Sequence, residues 1–271
     1  MSDIKDKKRT CIMGVINATP DSFSDGGRYA EPRLAAERAR EMAEAGADII
    51  DIGGESSRPG AESVSLDEEL GRVLPVIKAI RQVTDIALSV DTYKSEVARQ
   101  ALEEGASIVN DITALRQDPE MARTIAGFDA GVVLMHMKGS PRTMQEAPSY
   151  EDVVGEIIEH LSESIKIAQD AGIDPEKIIV DPGIGFGKKL EHNLAILKNL
   201  SQLKKLEKPI LVGTSRKSFI GELTGKEAGG RIFGTAASVA AAVMNGASII
   251  RVHDVDQMKD VMRVVDAIRS A

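Results

Sequence analysis

The chain has 271 residues, of which 42% are hydrophobic and 28% charged, an ordinary composition for a globular protein with a sizeable core. A formal net charge of −8, an aromatic content of 3% and the lack of tryptophan argue against a nucleic-acid partner. The single cysteine, Cys11, excludes a disulfide framework and a cysteine-rich zinc site. The polar N-terminus predicts no secretory signal, and the longest weakly polar run, around 236–244, is too short for a membrane span, so we expect a cytoplasmic protein with no membrane partner.

A short pattern recurs where predicted helices lead into predicted strands. The segments AGADIIDIG, EGASIVND and NGASIIRVH begin at Ala45, Glu104 and Asn245, and each places a glycine between an amphipathic stretch and a run of apolar residues. Such a glycine is typical of a helix that ends in the left-handed conformation and passes directly into a buried strand. The glycine spacing corresponds to units of about 30 to 35 residues, the size of one βα unit.

The remaining apolar runs complete a regular alternation of strands and helices. Strands are expected near 10–16, 47–53, 86–90, 107–110, 131–135, 177–181, 209–213 and 248–252. The clearest helix is predicted over 151–171, where Ile157, Leu161 and Ile165 share one face and Gly172 follows the last turn.

Eight strands that alternate with helices predict an α/β protein of the (β/α)8 TIM barrel class. We expect one domain over residues 1–271, with residues 1–9 as a flexible N-terminal extension. A doubly wound open sheet is the alternative, because alternation alone does not require the sheet to close. The longer polar loops follow strands, so in a barrel they lie on its C-terminal face: 17–30, 54–65, 136–151 and 214–232.

The predicted strands end in residues that form hydrogen bonds. Carboxylate and amide side chains stand there at Asn17, Asp51, Asp91, Asn110 and Asp181. One carboxylate after a strand is usually a turn former or a helix cap. A whole set at one end of a barrel instead indicates a ligand rich in N–H donors, such as a planar heterocycle.

Basic residues form a second set, which favours an anionic substrate. Arg216, Lys217 and Ser218 lie in TSRKSF, while Arg251 and His253 are two positions apart on one strand and share a face. We interpret Arg251 and His253 as a phosphate-binding or pyrophosphate-binding pair. The two histidines in predicted helices, His160 and His192, are expected to lie on the surface.

The segment DPGIGFGKKL, residues 181–190, resembles a phosphate-binding loop but fails its spacing. Position 182 is proline and position 189 is lysine where a P-loop requires glycine and a hydroxyl residue. Lys188 stands where the third glycine of a dinucleotide fingerprint belongs. The glycines at 183, 185 and 187 either leave room for a flat ring or a second loop, or simply turn the chain from strand to helix.

Eight sequence blocks in order resemble the dihydropteroate synthase family: GVINATPDSFSDGGRY, DIGGESSRPGA, SVDTYKSEVA, GASIVNDI, HMKGSPRTMQ, VDPGIGFGK, GTSRKSF and IIRVHDV. The match runs from about Cys11 to Val255, nearly the whole chain. The resemblance implies a TIM barrel that joins 6-hydroxymethyl-7,8-dihydropterin pyrophosphate to 4-aminobenzoate and releases pyrophosphate. It also implies Mg²⁺, a homodimer, a cytosolic location and inhibition by sulfonamides. Two residues depart from the family pattern: Ser57 is commonly threonine and Ile184 is commonly phenylalanine.

The same resemblance assigns roles residue by residue. Catalysis is assigned to Asp91, Lys217, Arg251 and His253. Pterin binding is assigned to Asp91, Asn110, Met135, Asp181, Phe186, Gly213 and Lys217. Pyrophosphate binding is assigned to Asn17, Asp25, Arg58, Arg251 and His253, with Asn17 also a metal ligand. Aminobenzoate binding is assigned to Ser57, Arg58, Phe186, Arg216, Lys217 and Ser218.

Two other functions remain open from the sequence. A methyltetrahydrofolate-dependent corrinoid methyltransferase would explain Asp91, Asn110 and Asp181 but would leave SRKSF and the Arg251–His253 pair without a task. A pterin-binding paralogue without catalysis is the second alternative, and the intact Asn17 and Lys217 argue against it.

Overall fold

The computed structural model describes residues 9–18, 30–56 and 60–271. It contains eight strands whose order along the chain matches the prediction, with bounds that differ from it by at most two residues. They are β1 (Cys11–Asn17), β2 (Ile49–Gly53), β3 (Ala87–Asp91), β4 (Ile108–Asp111), β5 (Gly131–Met135), β6 (Ile178–Asp181), β7 (Leu211–Val212) and β8 (Ile249–Val252).

All neighbouring strands are parallel, and the sheet order is β6-β5-β4-β3-β2-β1-β8-β7. A parallel bridge between Val180 and Ile210 places β6 beside the start of β7, and the Val180 amide donates to the Pro209 carbonyl at 3.0 Å. The two ends of the sheet therefore meet. This confirms the predicted (β/α)8 barrel and contradicts the open doubly wound sheet.

Nine α-helices lie within the described ranges of the chain. They are α1 (Ala30–Ala45), α2 (Leu66–Arg81), α3 (Ser95–Glu103), α4 (Met121–Gly127), α5 (Val153–Asp170), α6 (Leu190–Lys198), α7 (Ser218–Thr224), α8 (Ile232–Met244) and α9 (Val255–Ser270). Helix α5 is the one predicted over 151–171; it begins where the Asp152 side chain accepts a hydrogen bond from the Val154 amide. None of the helices in these ranges has the combination of length and apolar character that crossing a membrane requires.

The recurring helix-to-strand joints share one geometry. Gly46, Gly105 and Gly246 have φ of 102°, 104° and 110°. The alanine after each glycine donates its amide to the carbonyl five residues earlier, at 2.9, 2.9 and 3.0 Å. This is the Schellman arrangement that ends a helix at a left-handed glycine, as the repeated pattern predicts.

An apolar layer fills the barrel below the site. Its members are all fully or almost fully buried: Cys11, Met13, Ile49, Ile108, Val133, Ile179, Leu211 and Ile249. Because side chains alternate along a strand, a residue two positions further on faces the barrel interior again. Those next positions include Asp51, Asn110, Met135, Asp181, Gly213 and Arg251. The same alternation that builds an apolar floor therefore places a polar layer above it.

The N-terminal extension was predicted to reach residue 9, and residues 1–8 lie outside the described part of the chain. Arg9 itself is held by Asp48, with one nitrogen–oxygen distance of 2.6 Å and another of 2.9 Å.

Candidate active site

A hydrogen-bonded network of charged side chains occupies the polar layer. The Arg251 Nε donates to Asp51 Oδ2 at 2.6 Å, and its Nη2 donates to Asp91 Oδ2 at 2.7 Å. Asn110 Nδ2 donates to the same Asp51 oxygen at 3.0 Å. Four residues from β2, β3, β4 and β8 thus meet across the barrel interior.

Asp51 belongs to the predicted set of strand-end residues, but it is the member of this network that received no individual role from the sequence. Its side chain is 0% exposed, and its Oδ1 is a buried oxygen without a hydrogen-bond partner among the described residues. Its position two residues after Ile49, which lies in the apolar floor, was the available signal. Asp51 holds Arg251 and Asn110 in place from below.

Burial and charge interactions together determine the pKa values of Arg251 and Asp91. Burial opposes the charge of Arg251, but Asp51 and Asp91 outweigh it and raise the pKa of the guanidinium. Burial raises the pKa of Asp91 to about 7, with Arg251 acting in the opposite direction and Asp51 adding to the rise. The direct contact with Arg251 stabilises the carboxylate form of Asp91.

Asp181 faces the same interior from β6. Its Oδ1 accepts a hydrogen bond from the Gly183 amide at 2.7 Å. Burial raises the pKa of Asp181 to about 6, while Gly183, Lys217 and Arg251 act to lower it. Lys217 also lowers the pKa of Asp91. One ammonium therefore influences the pKa of both carboxylates.

The glycine loop, residues 183–187, has the left-handed backbone at each of its glycines, with φ of 67°, 83° and 62°. A Cβ at position 183 would stand 2.0 Å from the His136 carbonyl oxygen, and one at 187 would stand 2.3 Å from that of Lys138. At 185 the nearest atom would be Lys217 Cδ, at 3.3 Å. The glycines thus turn the chain and also admit a second loop, so both readings of the sequence apply.

Three side chains outside the glycine loop hold its backbone. The Gly185 amide donates to Asn193 Oδ1 at 2.7 Å, and the Gly185 carbonyl accepts from Gln145 Nε2 at 2.8 Å. The Tyr150 hydroxyl donates to the Gly187 carbonyl at 2.7 Å. These three hydrogen bonds hold the glycine loop in place beside Asp181.

We expect Gly183→Ala to lower the free energy of unfolding by at least about 2 kcal/mol, because alanine resists the left-handed backbone and its Cβ meets a carbonyl of the neighbouring loop. Urea unfolding followed by circular dichroism measures the change. Gly127→Ala is the matched control, since no atom lies within 4 Å of a Cβ there and its φ is not positive. A loss no larger than that of the control contradicts the expectation.

An apolar wall completes one side of the interior. Ile112, Met135, Met144 and Phe186 form a buried cluster, with Tyr93 and Met137 packed against it. The Lys217 Nζ lies 4.0 Å from the centre of the Phe186 ring. The sequence assigned Met135 and Phe186 to this wall, but not Ile112 or Met144, which lie on loops where no periodicity identifies a buried face.

The rim above β7 and β8 carries the other predicted basic residues. His253 Nδ1 and Ser215 Oγ are 3.0 Å apart. Burial, aided by Arg251 and Arg216, lowers the pKa of His253 to about 4, so its ring is neutral near pH 7. Arg216 is exposed, has φ of 59° and forms two hydrogen bonds with Asp254, at 3.1 and 2.5 Å.

The structure places the remaining predicted residues as follows. Asn17 ends β1 and is half-buried, Gly213 follows β7, and Ser218 is exposed at the first position of α7. Asp25, Ser57 and Arg58 lie outside the described residues. Within the described ranges, no group of three or more histidine, cysteine, aspartate or glutamate side chains forms a site that could hold a metal ion.

The prediction that His160 and His192 lie on the surface is wrong: both rings are half-buried. The His160 ring centre is 4.9 Å from that of His136, and the His192 ring centre is 4.9 Å from that of Tyr150. These contacts pack the rings against the loop that follows β5. Such contacts join distant segments, so the helical periodicity around each histidine did not reveal them.

Comparison with known proteins identifies relatives over nearly the whole chain. Residues 13–253 match the family described as pterin binding enzyme. Dihydropteroate synthase of Synechocystis is 48% identical over 262 residues, which cover 96% of this chain and 91% of the relative. That of Escherichia coli K12 is also 48% identical, over 96% of this chain and 92% of the relative.

Solved structures agree with this. The Yersinia pestis dihydropteroate synthase in a sulfonamide drug complex superposes with a TM-score of 0.92 at 45% identity, over 97% of this chain and 95% of that one. The Xanthomonas albilineans enzyme with 4-aminobenzoic acid gives 0.91 at 45% identity, over 97% and 94%. Its complex with 7,8-dihydropteroate gives 0.87 at 43% identity, over 97% and 95%.

Proposed function

The chain belongs to the pterin binding enzymes and is a dihydropteroate synthase, and we propose that the polar layer of its barrel binds the dihydropterin while Arg251, His253 and Arg58 bind the pyrophosphate. The reaction breaks the bond between the methylene carbon and the pyrophosphate oxygen. It then forms a bond from that carbon to the nitrogen of 4-aminobenzoate. The observation that carries the proposal is the convergence of Asp91, Asn110 and Asp181 on one interior that Lys217 and Arg251 also face.

The pterin ring presents a row of N–H donors, and Asp181 is proposed to accept them. Its Oδ1 already accepts from Gly183, which fixes the orientation of the carboxylate. Asn110 offers an amide oxygen, because its Nδ2 is directed to Asp51. The apolar wall that includes Met135 and Phe186 suits the faces of the ring.

Asp91 is proposed to stabilise the transition state. As pyrophosphate departs, positive charge develops on the methylene carbon and the ring, and a preorganised carboxylate lowers the energy of that charge. Arg251 holds Asp91 in a fixed place at 2.7 Å. The attacking aromatic amine is uncharged near neutral pH, so no strong general base is required. Its proton leaves to solvent or to pyrophosphate after the new bond forms.

The leaving group is proposed to meet His253 and Arg251, with Arg58 and Asp25 from the loops. Neutral His253 can donate a hydrogen bond without holding the product by a full charge. Arg251 acts here while paired with two carboxylates, which is a change from the freer role that the sequence suggested. Arg216, Ser218, Ser57 and Arg58 are proposed for the aminobenzoate carboxylate, together with Lys217 and Phe186.

We propose Mg²⁺ as a cofactor that binds through pyrophosphate oxygens and Asn17. The described residues supply no dedicated cluster of ligands, but a single amide oxygen at the rim suits an ion whose other ligands are phosphate oxygens and water. The ion would neutralise charge on the leaving group. Asn17 would orient it at the end of β1.

The function is tested by measuring pyrophosphate release by the purified protein with Mg²⁺. Release should require both the dihydropterin pyrophosphate and 4-aminobenzoate. Release without 4-aminobenzoate, or methyl transfer from methyltetrahydrofolate to a corrinoid, would contradict it. The relatives at 48% identity oppose the corrinoid methyltransferase and the non-catalytic paralogue as readings of this chain.

Binding of the pterin should weaken as the pH falls through about 6, the pKa of Asp181, by about tenfold for each further pH unit. Protonation removes the charged acceptor that the ring requires. The folding stability of the free protein depends on pH in the opposite direction. A carboxyl whose pKa is raised in the folded state contributes stability when it is protonated, so this contribution is lost as pH rises through about 6. Calorimetric titration with a pterin between pH 5 and 8 measures the affinity, and Asp181→Asn, which has no carboxyl, should lack this acid limb.

We further propose a homodimer. Large apolar side chains are exposed on three neighbouring helices, α6, α7 and α8: Leu194, Leu223, Phe233 and Met244. A second copy of the chain would cover them. Light scattering that gives the mass of one chain at micromolar concentration would refute the dimer.

A cytoplasmic location is proposed because the chain has a single, buried cysteine, Cys11, and therefore no disulfide within the chain. Fractionation of the source cells tests it.

A further inference from the structure

Lys188 is a buried lysine that the reaction leaves unused. The residue is 2% exposed, whereas its neighbour Lys189 is exposed. Its Nζ lies 2.9 Å from His136 Nδ1, 3.2 Å from the His136 carbonyl oxygen and 2.9 Å from the Phe186 carbonyl oxygen. An ammonium has three N–H donors, so three acceptors match its capacity.

The acceptors belong to the two loops that flank the pterin pocket. His136 follows the last residue of β5, and its amide donates to the Asp181 carbonyl at 2.9 Å. Phe186 lies in the glycine loop after β6 and forms part of the apolar wall. The Lys188 side chain therefore joins the end of β5 to the glycine loop that follows Asp181.

The environment of Lys188 favours its charged form in one respect and opposes it in another. Burial lowers the pKa of Lys188 to about 7, and Asp181 acts to raise it. The two carbonyl oxygens can only accept, so the contacts themselves stabilise the ammonium. The charge in turn acts to lower the pKa of Asp181, which favours the carboxylate that we assign to the ring.

We propose that Lys188 is a positioning residue for the pterin substrate, whose ammonium fastens the Phe186 carbonyl to the end of β5 and so fixes the glycine loop beside Asp181. The proposal rests on the proposed function of this pocket. Lys188 does not touch the substrate; it acts through the backbone of the loop. Its loss leaves two buried carbonyls and an imidazole nitrogen without their donor.

The first test compares Lys188→Met with Lys189→Met, its exposed neighbour. Methionine keeps the length of the side chain but cannot donate. For Lys188→Met we expect the dissociation constant of a free pterin, and KM for the pterin pyrophosphate, to rise by at least about tenfold. We expect kcat to change much less, and the control to match the parent protein. Unchanged pterin affinity, or an equal loss in Lys189→Met, overturns the proposal.

A second pair of variants tests the acceptor. His136→Asn keeps an oxygen near the position of Nδ1, whereas His136→Leu removes the acceptor at similar bulk. We expect pterin affinity close to that of the parent protein in the first variant and a clear loss in the second. Equal pterin affinities in the two variants would contradict the proposed contact between Lys188 and His136.

Hydrogen exchange tests the positioning role of Lys188 independently of the proposed catalytic activity. The amides of Gly183, Gly185 and Phe186 are hydrogen-bonded within or beside the loop and report its opening. In the free protein they should exchange faster in Lys188→Met, while the amides of β2 and β3 keep the protection of the parent. Equal exchange rates of these loop amides in the parent protein and in Lys188→Met would overturn the positioning role of Lys188. If the parent protein releases no pyrophosphate, the function fails, and the exchange result still decides the role of Lys188.

Discussion

Asp181→Ala is expected to lower the affinity for a pterin by at least about a hundredfold and to abolish detectable turnover. Two or more N–H donors of the ring would enter a buried site without an acceptor, and the pocket would lose the negative charge that complements them. The Gly183 amide would also lose its acceptor, at 2.7 Å in the folded protein.

Titration calorimetry with a pterin measures this loss. Asp181→Asn is the matched control, because it keeps the shape and one acceptor oxygen but not the charge; we expect its affinity to lie between those of the parent and the alanine variant. Thermal unfolding should show that Asp181→Ala remains folded, since the raised pKa of Asp181 means that its charge is unfavourable in the free fold. Near-native pterin affinity in the alanine variant would refute the assignment of Asp181.

Arg251→Ala is expected to lower the free energy of unfolding by about 3–5 kcal/mol, in addition to removing activity. Asp51 and Asp91 would lose their cation, and the side chain of Asp51 is 0% exposed. A buried carboxylate without a partner must either bear the cost of desolvation or take up a proton.

Urea unfolding of Arg251→Ala near neutral pH measures the effect. Arg263→Ala is a control of the same chemistry, because Arg263 pairs with Asp260 on the surface at 3.5 Å and its removal should have little effect. Adding Asp51→Asn to Arg251→Ala should recover part of the lost stability, since it removes one unpaired charge. If Arg251→Ala is as stable as the parent protein, the network does not hold the barrel interior together.

The order of strands and the identity of several site residues follow from local features of the sequence. Asp91, Asn110 and Asp181 end apolar runs, and in a parallel barrel all such ends lie on one face. The glycines that end helices are equally local, because each needs only the last turn of its own helix. These parts of the structure depend on residues that are close in sequence.

The parts that could not be predicted depend on contacts between distant residues. Arg251 meets Asp51 and Asp91 across 200 and 160 positions of the chain, so its spacing suggested only a free cation for an anion. Lys188 is buried because His136, 52 positions earlier, lies above it. The number of strands predicted a closed barrel, but the sequence left an open sheet as the alternative, because closure depends on β6 pairing with Ile210 just before β7.

The short β7 has a consequence for the pocket. The bridge from Val180 to Ile210 is the junction of the barrel wall with the fewest paired residues. It separates Asp181, the last residue of β6, from Gly213 and Lys217, which follow β7. Separating β6 from β7 would break fewer backbone hydrogen bonds than separating any more extensively paired strands of the barrel. The distance between the Asp181 carboxylate and Lys217 therefore depends on the least extensively paired junction of the barrel.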